Sequence, residues 1–133
     1  MLIASQPAWR LVRVVDPAFP AYYRIIWSRH AAEMSDLSEP ERQVCWAAMV
    51  AVERVLCQHL LPAKINWASF GNVVPHLHWH AIARFAWDAH FPNPVWGPAV
   101  RPANADEVER VNLALPGIDR ALAVACAAVP SGC

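Results

Sequence analysis

A long helix set between two strand-rich stretches is the feature that most restricts how this chain can fold. Ser38-Glu39-Pro40-Glu41 has the pattern of a capping box. The Ser38 hydroxyl and the Glu41 carboxylate can satisfy free N–H groups at a helix start, and Pro is tolerated in the first turn. Beyond it Val44, Ala48, Val52, Val55, Leu56 and Leu60 recur at helical spacing, with Glu41, Arg42, Glu53, Arg54 and Gln58 on other faces. The spacing predicts a helix from about Glu39 to Leu60, closed by Pro62.

On the near side of this helix, Trp9 to Val15 is rich in β-branched and aromatic residues and stops at Asp16-Pro17, so it reads as a strand. Tyr22 to Trp27 reads as the next one. The short, turn-forming loop between them favours an antiparallel pair. On the far side, Lys64 to Phe70 ends at Gly71-Asn72, and His76 to Phe85 comes after Pro75 as a second hairpin. Five Pro and Gly residues from Ala86 through Pro102 exclude regular helix there and imply an ordered loop packed through Trp87, Phe91 and Trp96. Asn104-Ala105-Asp106-Glu107 looks like a helix start, Pro116-Gly117 is expected to interrupt or kink that helix, and Ile118 to Val129 reads as a terminal helix. The order of elements argues for an α+β domain with an antiparallel sheet.

With 133 residues, 56% of them hydrophobic, the chain can build one core, and a single domain over residues 1–133 is expected. Eleven Lys and Arg balance eleven Asp and Glu, so no net field would gather nucleic acid or an anionic membrane. Any phosphate must therefore be recognised locally. The longest apolar runs, such as Ala121 to Ala128, fall short of the roughly 20 residues that span a bilayer, and Met1-Leu2-Ile3 lacks a basic flank, so a soluble cytoplasmic protein is expected. Cys45, Cys57, Cys126 and Cys133 form no C-x-x-C pair and suit a reducing compartment as thiols.

Three of the six histidines alternate in His76-Leu77-His78-Trp79-His80. On a strand they point to one face, with Leu77, Trp79 and Ala81 on the opposite, apolar side. A merely structural role leaves unexplained why three polar rings line up where Val or Thr would serve better. Imidazoles two residues apart can also converge on Zn²⁺ as a hydrolytic centre. However, three such positions span roughly 13 Å of strand, which fits a row better than a cage. A row suits an extended phosphate chain, with one imidazole attacking and its neighbours donating hydrogen bonds.

Pro75-His76-Leu77-His78-Trp79-His80-Ala81-Ile82 resembles the His-φ-His-φ-His-φ-φ signature of the histidine triad (HIT) family of nucleotide hydrolases and transferases. Its flanks, Lys64 to Pro75 and His90 to Gly97, are similar to a bacterial branch described as diadenosine tetraphosphate hydrolase-like. The resemblance covers about residues 9–97, leaving a C-terminal helical extension at about 104–129. It implies a HIT-like fold, a homodimer, and a covalent nucleotidyl intermediate on the middle histidine, here His78. By the same pattern neutral His78 attacks through one ring nitrogen while a backbone carbonyl holds the other N–H. His76 and His80 would orient groups and stabilise phosphate or leaving-group charge. Asn72 stands in a Gly71-Asn72 step where relatives carry Gly-Gln and would contact a phosphate oxygen, although it could instead take a left-handed turn conformation. Asn66 matches an upstream phosphate contact or else satisfies a strand edge. Asp16 fits a ribose-binding position or is a turn former. The histidine mechanism requires no cofactor and no protein-bound metal, while a divalent ion such as Mg²⁺ can accompany the substrate.

Several positions depart from the family pattern. Relatives carry a fourth histidine near the start of the second strand, and Pro20-Ala21-Tyr22 places Tyr22 there. A phenol can still donate a hydrogen bond to phosphate, which implies retained activity with altered leaving-group handling. His30 aligns with a downstream segment, Ala83 stands where Pro is common, and Val73 lacks the hydroxyl some relatives place before the triad. The Cys-x-x-Cys leader of many relatives does not precede the first strand. Arg84 has the parity of the triad face, where it could approach phosphate or remain solvated, and His59 and His90 read as structural or exposed. The resulting expectation is hydrolysis or transfer at the α-phosphate of a nucleotide derivative such as a dinucleoside polyphosphate. The alternatives are a nucleotide-binding protein with little turnover, a nucleoside phosphoramidase, or a metal-dependent hydrolase.

Overall fold

In the computed structural model, which describes residues 1–130, five strands and two long helices run along the chain as β1 (Leu2–Ser5), β2 (Trp9–Arg13), β3 (Tyr22–Trp27), α1 (Glu39–Leu60), β4 (Lys64–Ala68), β5 (His78–Arg84) and α2 (Ala105–Ala127). The strands form one sheet in the order β1-β2-β3-β5-β4, antiparallel at every step. The two predicted hairpins, β2 with β3 and β4 with β5, are thus present, and they are joined side by side through β3 and β5. Cys133 lies outside the described residues.

The capping box at α1 forms as expected: Ser38 and Glu41 each bond the other's backbone N–H. The helix ends at Leu61, whose left-handed conformation (φ 47°) lets its N–H reach the Cys57 carbonyl ahead of Pro62. Its apolar stripe packs with that of α2 (Val111, Leu115, Ile118, Leu122, Cys126) on one face of the sheet. Trp9, Leu11, Tyr23, Ile25, Trp27, Trp79 and Ala81 project from that face into the same core. At the far edge, Asp119 of α2 accepts from the Tyr23 hydroxyl at 2.9 Å and from Arg13 Nε at 3.2 Å, tying the last helix to β2 and β3. Burial, with Asp119 adding to it, pushes the Tyr23 phenol up, so it stays a donor.

The structure corrects several boundaries. β1, absent from the strand prediction, pairs with β2 and packs Ile3 and Ala4 against the core. β2 stops at Arg13 and β4 at Ala68, each two residues early, and β5 begins at His78 instead of His76. Pro116-Gly117 does not interrupt α2. Pro116 and Asn112, whose carbonyl loses its helical partner to the Pro ring, both face solvent, while Leu115 and Ile118 stay buried on the inner side. Water can serve the freed carbonyl while packing holds the helix together.

Loop 85–102 folds back over the other face of the sheet, held by a buried ion pair. Arg84, 1% exposed, donates to both Asp88 oxygens at 2.8 and 3.0 Å, to Asn66 Oδ1 at 2.7 Å and to the Asn93 carbonyl at 2.9 Å. Asp88 also accepts the backbone N–H groups of Phe85, His90 and Phe91. Arg84 is therefore neither a phosphate ligand nor a solvated strand end but the clasp of this loop. Beneath it Phe19, Tyr22 and Ile82 form a second small core, joined by Val95 from the loop.

Candidate active site

Register places the polar residues of the open sheet face in rungs. Arg10, Ile26 and His78 lie side by side on β2, β3 and β5, and Val12, Arg24, His80 and Ala68 form the next rung across β2, β3, β5 and β4. Tyr22, Ile82 and Asn66 come next on β3, β5 and β4. The face opens at a pocket of about 530 Å³ lined by His78, His76, Asn72, Arg10, Arg24 and Phe70 among others. Its lining holds two guanidinium groups and no carboxylate. That local charge suits an anion even though the chain as a whole is neutral.

His78 is half-buried, and its Nδ1 lies 2.7 Å from the His76 carbonyl oxygen. A carbonyl only accepts, so Nδ1 carries the proton and Nε2 keeps its lone pair. The ring is thereby fixed as the tautomer a nucleophile needs.

His80 is almost fully buried, and its Nδ1 lies 2.5 Å from the Tyr22 hydroxyl and 3.3 Å from Arg24 Nε. Arg24 also donates to the Tyr22 oxygen at 3.3 Å. A guanidinium cannot accept, so Nδ1 receives both donors through its lone pair and the proton sits on Nε2. That nitrogen makes no hydrogen bond among the described residues and is not a buried orphan, so it reaches solvent. Burial, then the charge of Arg24 and the neighbouring His78, lowers the His80 pKa to about 4, which keeps the ring neutral near pH 7. Phe70, tilted, and Trp96, edge-on, wall it with ring centroids 5.9 and 5.5 Å away, and their own centroids lie 4.7 Å apart.

His76 lies in the bend before β5, so the row predicted from strand alternation begins with a residue off the strand. Its Nε2–H donates to the Trp27 carbonyl at 2.7 Å, and its ring stacks on His30 with centroids 5.7 Å apart. The side chain thus anchors the bend whose carbonyl holds His78. Among the described residues no group of three or more His, Cys, Asp or Glu is arranged to hold a metal ion.

The other expected contacts separate. Asn72 lines the pocket, and since Leu61 is the one non-glycine residue with positive φ among the described residues, Asn72 is not a left-handed turn residue. Asn66 lies on the open face with its oxygen committed to Arg84. Asp16 Oδ1 accepts the N–H groups of Ala18 and Phe19, which makes it a turn former outside the pocket lining. Tyr22 is brought to His80, away from the surface. His59 is exposed, and His90 packs on Phe19. Sequence reading passed over Arg10 and Arg24. Their strands were identified, and the parity that groups them with Tyr22 and Ile26 would have put them on one face, but only the pairing of β3 with β5 shows that this is the triad face.

An α+β fold whose strand β5 carries two oriented histidines, with His78 at an anion-suited pocket, matches a known class. A family model for the HIT domain matches residues 2–87, and the chain belongs to the HIT domain family. A solved histidine triad protein from Bradyrhizobium japonicum is 33% identical, with a TM-score of 0.70 over 88% of each chain. Histidine triad proteins from Marinobacter aquaeolei and Sinorhizobium meliloti share the fold, with TM-scores of 0.71 and 0.67 and identities of 23% and 22%. Those two matches cover 92% of this chain and 90% and 87% of theirs. Comparison with curated proteins gave no match. Family membership implies a nucleotide hydrolase or transferase kind of activity.

Proposed function

We propose that the chain hydrolyses or transfers a nucleotidyl group at the α-phosphate of a nucleotide derivative, with a dinucleoside polyphosphate such as diadenosine tetraphosphate as the preferred class. The observation that carries this reading is the His78 Nδ1–H bond to the His76 carbonyl, which leaves Nε2 free beside the pocket. Nε2 attacks the α-phosphorus, the bond to the leaving oxygen breaks with its electron pair, and His78 becomes a nucleotidyl imidazolium. Water then attacks phosphorus and returns the N–P electron pair to Nε2. Arg10, Arg24 and the Asn72 amide offer donors to the phosphate oxygens, and His80 Nε2–H is the neutral donor on the leaving-group side. Val73 supplies no hydroxyl at the pocket rim, which favours an oxygen leaving group over a phosphoramidate.

The reading includes a homodimer. β4 is an edge strand with unpaired backbone groups, and beside it α1 exposes Trp46 (67%) and Val50 (43%) along an apolar groove of about 940 Å³. A second copy would cover both. The free thiols of Cys45, Cys57 and Cys126 suit a reducing compartment such as the cytoplasm, and among the described residues no helix is long and apolar enough to cross a membrane.

The test is His78→Ala. Turnover should fall at least ~10³-fold, about 4 kcal/mol of barrier, with nucleotide binding and fold retained. Quenched wild-type reactions should carry an acid-labile nucleotidyl adduct on the His78 peptide. Wild-type turnover by His78→Ala would refute the covalent route.

A further inference from the structure

We propose that Tyr22 is a positioning residue that acts through His80, passing it the proton that His80 delivers to the leaving group, while Arg24 stabilises the phenolate that results. This rests on the covalent histidine mechanism above. Tyr22 is 6% exposed, packed between Phe19 and Ile82, with its hydroxyl spent on His80 Nδ1. It therefore acts behind the histidine and not on the phosphate itself.

A leaving oxygen more basic than that of a nucleoside polyphosphate requires such a partner. With Arg24 and His78 as its charged and titratable neighbours besides Tyr22, buried His80 titrates near 4, so its cationic form is scarce at neutral pH. The proton donor must then be the neutral ring, whose Nε2–H is a poor acid unless Nδ1 gains a proton as Nε2 loses one. Tyr22 is placed to supply it. As the P–O bond breaks, its electron pair goes to the leaving oxygen, which takes the Nε2 proton. Nδ1 takes the phenolic proton, and the phenolate is left beside Arg24, whose Nη2 already lies 3.3 Å from that oxygen. When water attacks the nucleotidyl-His78, its proton enters at His80 Nε2 and the Nδ1 proton returns to Tyr22. The cycle closes without placing a full positive charge on the buried His80 ring.

The experiment compares wild type and Tyr22→Phe on two adenosine 5′-monophosphate esters, a p-nitrophenyl ester whose leaving group departs unprotonated and an alkyl ester whose leaving group needs a proton. The expected result is a loss in kcat of ~10²-fold or more on the alkyl ester, at least ten times the loss on the nitrophenyl ester, with KM little changed. Arg24→Gln, which also removes a phosphate donor, should lower turnover on both esters, with the larger loss on the alkyl ester. In parallel, ¹⁵N NMR should find His80 protonated at Nε2 in wild type and still so in Tyr22→Phe, where Arg24 Nε goes on donating to Nδ1, with the Nδ1 resonance shifted by loss of the phenolic hydrogen bond, a readout that does not depend on turnover. Equal losses on both esters, or a wild-type His80 protonated at Nδ1, would overturn the relay while the hydrolase reading stands on wild-type turnover. A wild-type protein that forms no His78 adduct and cleaves neither ester overturns both.

Discussion

Replacing Asp88 with alanine should be among the most damaging single changes outside the helical core. The carboxylate is 2% exposed and serves five donors: Arg84 Nε and Nη2 and the N–H groups of Phe85, His90 and Phe91. Without it a guanidinium at 1% exposure keeps only the Asn66 and Asn93 oxygens, and three backbone donors lose an acceptor. Removing one member of a buried pair costs about 3–5 kcal/mol, and orphaned N–H groups add to that where water does not reach them, so ~4–5 kcal/mol is expected. At about 2.1 cal mol⁻¹ K⁻¹ per residue, 133 residues give an unfolding entropy of ~0.28 kcal mol⁻¹ K⁻¹ and a Tm drop of ~15 °C. Calorimetry at fixed protein concentration measures the drop, and tryptophan emission should report release of Trp96 from the His80 wall. The double variant Arg84→Met, Asp88→Leu, which removes the charges together, should recover a large part of the loss. A Tm change under 3 °C for Asp88→Ala would show that the clasp is not what holds the loop.

Three further outcomes are expected. His80 titrates near 4 when folded against an ordinary 6.5, so the unfolded chain binds more protons as pH falls from 7 to 5; urea unfolding in that window should show stability declining, by at most ~3 kcal/mol once pH falls below 4, and His80→Asn should flatten the slope. A wild-type profile level from pH 7 to 5 would contradict this. Pro116→Ala, on the solvent side of α2, should raise stability by ~1–2 kcal/mol, because a helix-interior Pro costs about 3 and its stiffening of the unfolded chain returns about 1; an unchanged melt refutes it. Light scattering should give twice 14.8 kDa for the wild type and approach 14.8 kDa for Trp46→Glu, and a monomeric wild type at micromolar concentration would refute the homodimer.

Local chemistry explains which parts of this fold could be read in advance. α1 was legible to the residue because Ser38, Glu41 and an uninterrupted apolar stripe all point the same way. β3 was equally plain from Tyr22 to Trp27. β1 was missed because four residues carry too little pattern, and its existence depends on the open edge of β2. Alternation made His78 and His80 neighbours on one face, as the structure has them, but Pro75 and the bend after it keep His76 off the strand. Partners brought together only by tertiary pairing could not be read: Tyr22 and His80 are 58 residues apart and meet across β3 and β5. The same holds for Arg84, whose parity was right while its burial depends on a loop with no periodicity to predict where it lands.

The group that fixes the His78 tautomer belongs to the main chain. An orienting Asp or Glu side chain can be deleted by one codon change, whereas the His76 carbonyl is present whichever amino acid stands at position 76. Drift at that site can therefore erode the stacking with His30 and the bond to Trp27 without erasing the acceptor. Loss of the tautomer would take a change in backbone course between Pro75 and Leu77, a segment whose Leu77 N–H and C=O are both bonded, to the Ala31 carbonyl and the Trp27 N–H. The proton position on the nucleophile is in this sense inherited with the fold, and mutational tolerance should be wider at position 76 than at positions 78 and 80.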